Sequence, residues 1–119
     1  MTARSSVPGL TDIVQAIERI HAVLGDTSLD AFELDWQQQW LVERGVEIIS
    51  EASRRLADEL KARHPEILWQ NVAGIGNVLR HNDESIAAPV LWKLVHADRP
   101  VLKEVCAEEL KIQERSPQA

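Results

Sequence analysis

The sequence predicts an all-α protein, an up-and-down helical bundle of four to five helices with one long central helix. Apolar residues recur at steps of three and four over long segments, as one buried helix face requires. No segment shows the clean apolar–polar alternation of a half-buried strand. The chain of 119 residues contains only five Gly and five Pro, which leaves room for long uninterrupted helices. That length suits one domain. We read residues 1–9 as a flexible N-terminus, 10–112 as the helical domain and 113–119 as a flexible polar tail.

The first helix is written by Leu10, Ile13, Val14, Ile17, Ile20, Val23 and Leu24, with Thr11 or Asp12 placed to cap its start and Gly25 its end. From Asp26 to Leu34, turn formers mix with Leu29 and Phe32, so this connector should pack, with room for one short helical turn. Asp35 then opens the longest periodic stretch. Trp36, Trp40, Leu41, Gly45, Ile48, Ile49, Ala52, Leu56 and Leu60 fall on one side, and Glu43, Glu47, Arg54, Arg55 and Asp58 largely on the other. No Pro interrupts it before Pro65, so the predicted helix is about twice the average globular length and reads as the spine of the bundle.

After the break at His64-Pro65, a helix is predicted from about Ile67 to His81, with Trp69, Val72, Ile75 and Leu79 apolar and Gly74 and Gly76 inside it. Each Gly weakens a helix by roughly 1 kcal/mol relative to Ala, so the pair calls for the close approach of a neighbouring helix or a ligand. Asn82 to Ser85 form a polar break, and Pro89 suits the first turn of a further helix carrying Val90, Leu91, Leu94 and Val95. Pro100 should stop or kink that helix before Val101, Leu102, Val105, Cys106 and Leu110 resume the apolar pattern.

A content of 45% hydrophobic and 27% charged residues fits a globular chain and excludes a disordered or fibrous one. The single cysteine, Cys106, allows no internal disulfide and favours a reducing compartment, so the cytoplasm is expected. No apolar run approaches a membrane span and residues 1–9 do not form a signal peptide, so no membrane association is expected. The net charge of −6 argues against coating nucleic acid non-specifically, which needs Lys and Arg to displace counterions; any RNA contact must be local.

Several residues invite chemistry. Glu18-x-x-His21 matches one element of a di-iron bundle, but such sites need two copies and further carboxylates, and the second copy is missing, so no metal or other cofactor is expected. Cys106 has no CxxC partner and reads as a small core residue. The four Trp, at 36, 40, 69 and 92, read as core or interface anchors rather than as a base-stacking platform, which would set its aromatics in a basic groove. The segment from Val72 to Asp83 differs, because it gathers Asn77, Arg80 and His81 at a helix end. Asn77 and His81, four residues apart, share a helix face, and Arg80 lies about 100° round from His81. A His able to titrate near neutrality beside a fixed cation is what RNA cleavage by internal 2′-hydroxyl attack uses: proton transfer plus stabilisation of phosphorane charge. By spacing alone, a structural or solvated His explains the same residues.

A wider pattern runs through the chain. Leu10-Thr-Asp-Ile-Val-Gln-Ala-Ile-Glu-Arg-Ile20, Phe32-Glu-Leu-Asp35, Val42-Glu-Arg-Gly-Val-Glu-Ile-Ile-Ser-Glu-Ala52, Pro65-Glu-Ile-Leu-Trp69, Asn77-Val-Leu-Arg-His81, Leu91-Trp92 and Pro100-Val-Leu102 occur in order. Together, over residues 10 to 110, they resemble the HepT-like branch of the HEPN superfamily. The resemblance implies a HEPN-like helical bundle that forms a homodimer, usually the toxin half of a bacterial toxin–antitoxin pair with a nucleotidyltransferase antitoxin of the MNT type. It also implies metal-independent endoribonuclease activity in a cleft at the dimer interface.

The motif of that family is an Arg, often followed by Asn, then a His after four to six residues, then any residue and a Tyr. His81 and Asn77 match it; Gly76 stands in the place of the Arg, and Asp83 in the place of the Tyr that can accept AMP from the antitoxin. Loss of the Arg removes the usual phosphate clamp, and Arg80 could replace it from the next helical position, with Gly76 clearing the space. The expected site is therefore His81, Arg80 and Asn77 in catalysis, with Arg80 and Asn82 contacting RNA. The alternative is a degenerate module that dimerises and binds the antitoxin without cleaving RNA.

Overall fold

The computed structural model describes the backbone of residues 5–81 and 88–115; for residues 76–81, 88–91, 93–95, 97–100 and 114–115 it describes the backbone alone. Within this range there are six α-helices and no strand: α1 (Val7–Leu24), α2 (Leu29–Glu33), α3 (Trp36–Arg54), α4 (Asp58–Ala62), α5 (Trp69–His81) and α6 (Ala88–Arg115). Four long helices alternate in direction, which gives the expected up-and-down bundle. Gly9 near Ala52 and Leu56, and Gly45 near Ile20, set α1 antiparallel to α3. Trp92 of α6 meets Phe32, whereas Leu102, Val105 and Cys106 share a cluster with Leu10 and Leu60, so α6 runs antiparallel to α1.

The core is two connected clusters along the bundle axis. One holds Leu10, Ile13, Ile17, Ala52, Leu56, Leu60, Ile67, Leu102, Val105 and Cys106, and the other Ile20, Leu24, Phe32, Val42 and Val46. Burying a side chain of this kind stabilises the fold by about 1.5–3 kcal/mol, so the apolar stripes and not local propensity decide the architecture.

Helix ends follow the sequence in two places and depart from it in others. Gly25 ends α1 at φ 48°, and its N–H donates to the His21 carbonyl. Asp35 caps α3, its carboxylate accepting from the Gln38 N–H at 3.0 Å. The start of α1 lies earlier than Thr11 or Asp12: Pro8 sits in the first turn, where a missing N–H costs nothing, and Ser6 and Gly9 are buried. Asp12 instead pairs with Arg55 at 2.8 Å.

The long central helix expected after Asp35 is shorter than predicted. It ends at Arg54, where Ser53 Oγ donates back to the Ser50 carbonyl at 2.7 Å and the Ala57 N–H leaves the helical pattern to donate to Ser6 Oγ at 3.1 Å. Conversely, α6 continues through Pro100 for 28 residues. Proline in a helix interior costs about 3 kcal/mol, but Trp92 is anchored upstream and Leu102, Val105 and Cys106 are buried downstream, and a break would expose one side.

The apolar stripe assigned to α3 also needs correction. Its buried face carries Val42, Gly45, Val46, Ser50, Ala52 and Ser53, while Trp36, Trp40 and Leu41 are exposed, the two Trp rings meeting edge to face at 4.9 Å. Trp69 and Trp92 are half-buried and do belong to the core.

Candidate functional site

The helix that carries the expected site is fixed along the flank of α3. Trp69 starts α5 with its indole N–H shared between the Lys61 and His64 carbonyls, each at 3.1 Å. Trp69 and Val72 pack on the first cluster, beside Ala52 and Leu56, and Ile75 packs on the second, beside Val42 and Val46. The helix α5 is therefore antiparallel to α3 and carries His81 towards the N-terminal half of α3. A polar clamp fixes the register: the Ala73 carbonyl accepts from Ser50 Oγ and from Arg54 Nη2, both at 2.7 Å.

Asn77, Arg80 and His81 lie in the last two turns of α5, and their side chains lie outside the described residues. Asn82 and Asp83 lie outside them altogether. The helical backbone does place Asn77, Arg80 and His81 in one continuous register, beyond the clamp at Ala73. Gly74 meets no close neighbour among the described residues: a Cβ there would find none of them within 4 Å. The tight glycine contacts are elsewhere, at Gly9 and at Gly45, where a Cβ would come within 2.8 Å of Ile20.

On α3, the face two turns before the clamp presents Glu43 and Glu47, both half-buried. Burial first, and then the neighbouring Glu47 carboxylate, pushes the Glu43 carboxyl above the usual carboxylate range. Glu47 has Arg44 at 3.4 Å, an exposed pair worth little, and Glu43 has no hydrogen bond or ion pair among the described residues.

The best-formed charged cluster among the described residues was not legible in the sequence. Glu109 of α6 is 1% exposed and accepts from Arg63 Nη2 at 2.8 Å and from His64 Nε2 at 2.6 Å. Burial works to raise its pKa, but the hydrogen bonds from Arg63 and His64 outweigh it and hold the carboxyl below its ordinary value. This cluster ties the turn after α4 to α6. Cys106, one turn earlier, is fully buried, and burial with the nearby Glu109 charge pushes its thiol up to about 12, which fits a core residue and not a nucleophile. Glu18 and His21 are exposed on α1.

With the helices in this order, the family model described as "Ribonuclease HepT-like" matches residues 13–109. The chain belongs to the HepT-like ribonuclease family. It is 38% identical over 100 residues to a Thermococcus cleftensis protein named "Probable ribonuclease HepT", covering 84% of this chain and 91% of that one. It is 29% identical over 103 residues to "Putative RNase MJ1380" of Methanocaldococcus jannaschii, covering 87% of this chain and 94% of that one. No solved structure matches the chain. The family match spans α1 from Ile13 to α6 at Glu109, and so includes both helices of the clamp and the whole of α5. No described helix is long and apolar enough to cross a membrane.

Proposed function

We propose that the protein is a metal-independent endoribonuclease that works as a homodimer in the cytoplasm, the toxin of a pair whose antitoxin is an MNT-type nucleotidyltransferase. Membership of the HepT-like ribonuclease family carries this reading, and the register of Asn77, Arg80 and His81 on a helix clamped to α3 supports it.

In the proposed reaction a base takes the proton of an RNA 2′-hydroxyl as that oxygen attacks the adjacent phosphorus, and an acid returns a proton to the departing 5′-oxygen. His81 is one of these groups, because its imidazole exchanges a proton near neutrality. Arg80 stabilises the charge that builds on the phosphorane, in place of the motif Arg replaced by Gly76. Asn77 orients His81 or the phosphate by a hydrogen bond, and Asn82 adds an RNA contact. Contact with RNA stays local, in keeping with a net charge of −6. None of the described residues crowds Gly74, which suits the approach of a second protomer to the Trp69–His81 region. Trp69 itself serves the core.

The test is cleavage of RNA in the presence of EDTA by wild type and by His81→Ala. General acid–base catalysis contributes about 100- to 10,000-fold, so the variant should lose at least 100-fold. Equal cleavage by the two proteins would remove His81 from the site. A second reading is favoured by Gly76 and Asp83 standing where the motif has Arg and Tyr: a module that dimerises and binds the antitoxin without cleaving. A wild type that binds the nucleotidyltransferase and never cleaves RNA would select it.

A further inference from the structure

Arg44, Arg55 and Arg63 each meet a carboxylate, that of Glu47, Asp12 and Glu109 in turn. Arg54 meets none among the described residues. It stands in the last turn of α3, where a cation ordinarily serves the free carbonyls of its own helix end. Its guanidinium crosses to α5 instead and donates through Nη2 to the Ala73 carbonyl at 2.7 Å.

Ala73 lies inside α5, so the helical pattern gives the same carbonyl to the Asn77 N–H, and Ser50 Oγ also donates to it at 2.7 Å. A carbonyl oxygen has two lone pairs, and three donors converge on this one. It is the point at which α3 grips the backbone ladder of α5, one turn before Asn77. Upstream, the Trp69 indole fixes the start of α5, and Val72 and Ile75 pack on the core. Apolar contacts leave a helix some freedom to turn about its axis, whereas a hydrogen bond to one carbonyl oxygen is directional and opposes that turning. Side chains stand about 5–6 Å from a helix axis, so a turn of about 10° moves them by about 1 Å. A misplacement of that size can lower a rate about 100-fold.

We infer that Arg54 is a positioning residue for the proposed site: by holding the Ala73 carbonyl it sets the rotation of α5, and with it the backbone positions of Asn77, Arg80 and His81. The effect on cleavage rests on the endoribonuclease reading; the hold on the helix does not.

The test uses the full chain with Arg54→Gln, Arg54→Lys and, as the control, Arg55→Gln, which removes the same charge and the pair to Asp12 but leaves the clamp. Measured well below the melting temperature, Arg54→Gln should lower kcat for RNA cleavage by roughly 10- to 100-fold with KM little changed. Arg54→Lys, which keeps a donor for the carbonyl, should recover part of the loss, and Arg55→Gln should keep the wild-type kcat. Hydrogen exchange read by mass spectrometry should quicken over residues 77–81 in Arg54→Gln and stay at the wild-type rate in α1. Unchanged exchange in α5 would overturn the hold on the helix. Full kcat in Arg54→Gln, or an equal loss in Arg55→Gln, would overturn the positioning role. If exchange quickens and wild type cleaves no RNA, the hold on α5 stands and the endoribonuclease reading falls.

Discussion

Replacing Glu109 should cost more stability than any other single loss of a charged group in the described chain. The carboxylate is 1% exposed and accepts from two side chains of unequal worth, the His64 imidazole and the Arg63 guanidinium. His64 Nε2 approaches to 2.6 Å and its side chain is 18% exposed, so that hydrogen bond to a charged group stabilises by about 1.5–3 kcal/mol. The Arg63 side chain is 51% exposed and can turn to water, which reduces its share to about 0–1 kcal/mol. The loss in Glu109→Ala is therefore about 1.5–4 kcal/mol, the upper end reached if the vacated space does not collapse. For 119 residues the entropy of unfolding near the midpoint is about 0.25 kcal/mol/K, so the melting temperature should fall by about 6–16 °C.

Glu109→Gln keeps the volume and separates charge from packing. Because the folded-state pKa is lowered, the charge stabilises the fold fully above the unfolded carboxylate value of about 4.3 and ceases to do so as pH falls through the folded value. The gap in melting temperature between wild type and Glu109→Gln, read by circular dichroism, should be widest near neutral pH and close in acid. A gap that stays constant from neutral pH down to pH 3 would show that the cluster acts by shape alone and refute the electrostatic account.

Cys106 should resist a thiol reagent such as DTNB at pH 8 in the folded protein and react fully after denaturation, since its thiol is buried with its pKa near 12; rapid native labelling would contradict the packing of α6. Gly74→Ala should raise the melting temperature of the monomer by a few degrees, because the helix gains roughly 1 kcal/mol and the new methyl meets none of the described residues. Light scattering over a concentration series reads its effect on association, and a lower monomer melting temperature would mean that α5 packs more tightly than described.

The long helices were legible wherever one buried stripe dominates. Leu10 to Leu24 repeats cleanly enough to fix α1, and the caps Gly25 and Asp35 act through their own side chain or backbone freedom, so a local reading found both. The end of α3 was not legible, because nothing near Arg54 is a helix breaker. It depends on Ser6, about fifty positions away, accepting the Ala57 N–H. Pro100 misled in the opposite direction, its local penalty being overridden by burial on both sides. Trp36 and Trp40 share the periodic spacing of the apolar side, yet both are exposed. The smaller Val42, Val46 and Ala52 hold that face.

The same contrast between local and distant determinants governs the site. Asn77, Arg80 and His81 could be picked out because one helix supplies all three, and spacing along a single helix is visible in sequence. Their place along the bundle could not, because it depends on a second helix whose register is set by Ser50 and Arg54 on the Ala73 carbonyl. Those two donors are polar residues on a helix that the apolar pattern alone would allow to slide. A one-turn slip of α5 would take the Ala73 carbonyl away from both the buried Ser50 hydroxyl and the Arg54 guanidinium that now donate to it. Apolar packing brings α5 to α3; the clamp decides which turn of α5 stands opposite which turn of α3.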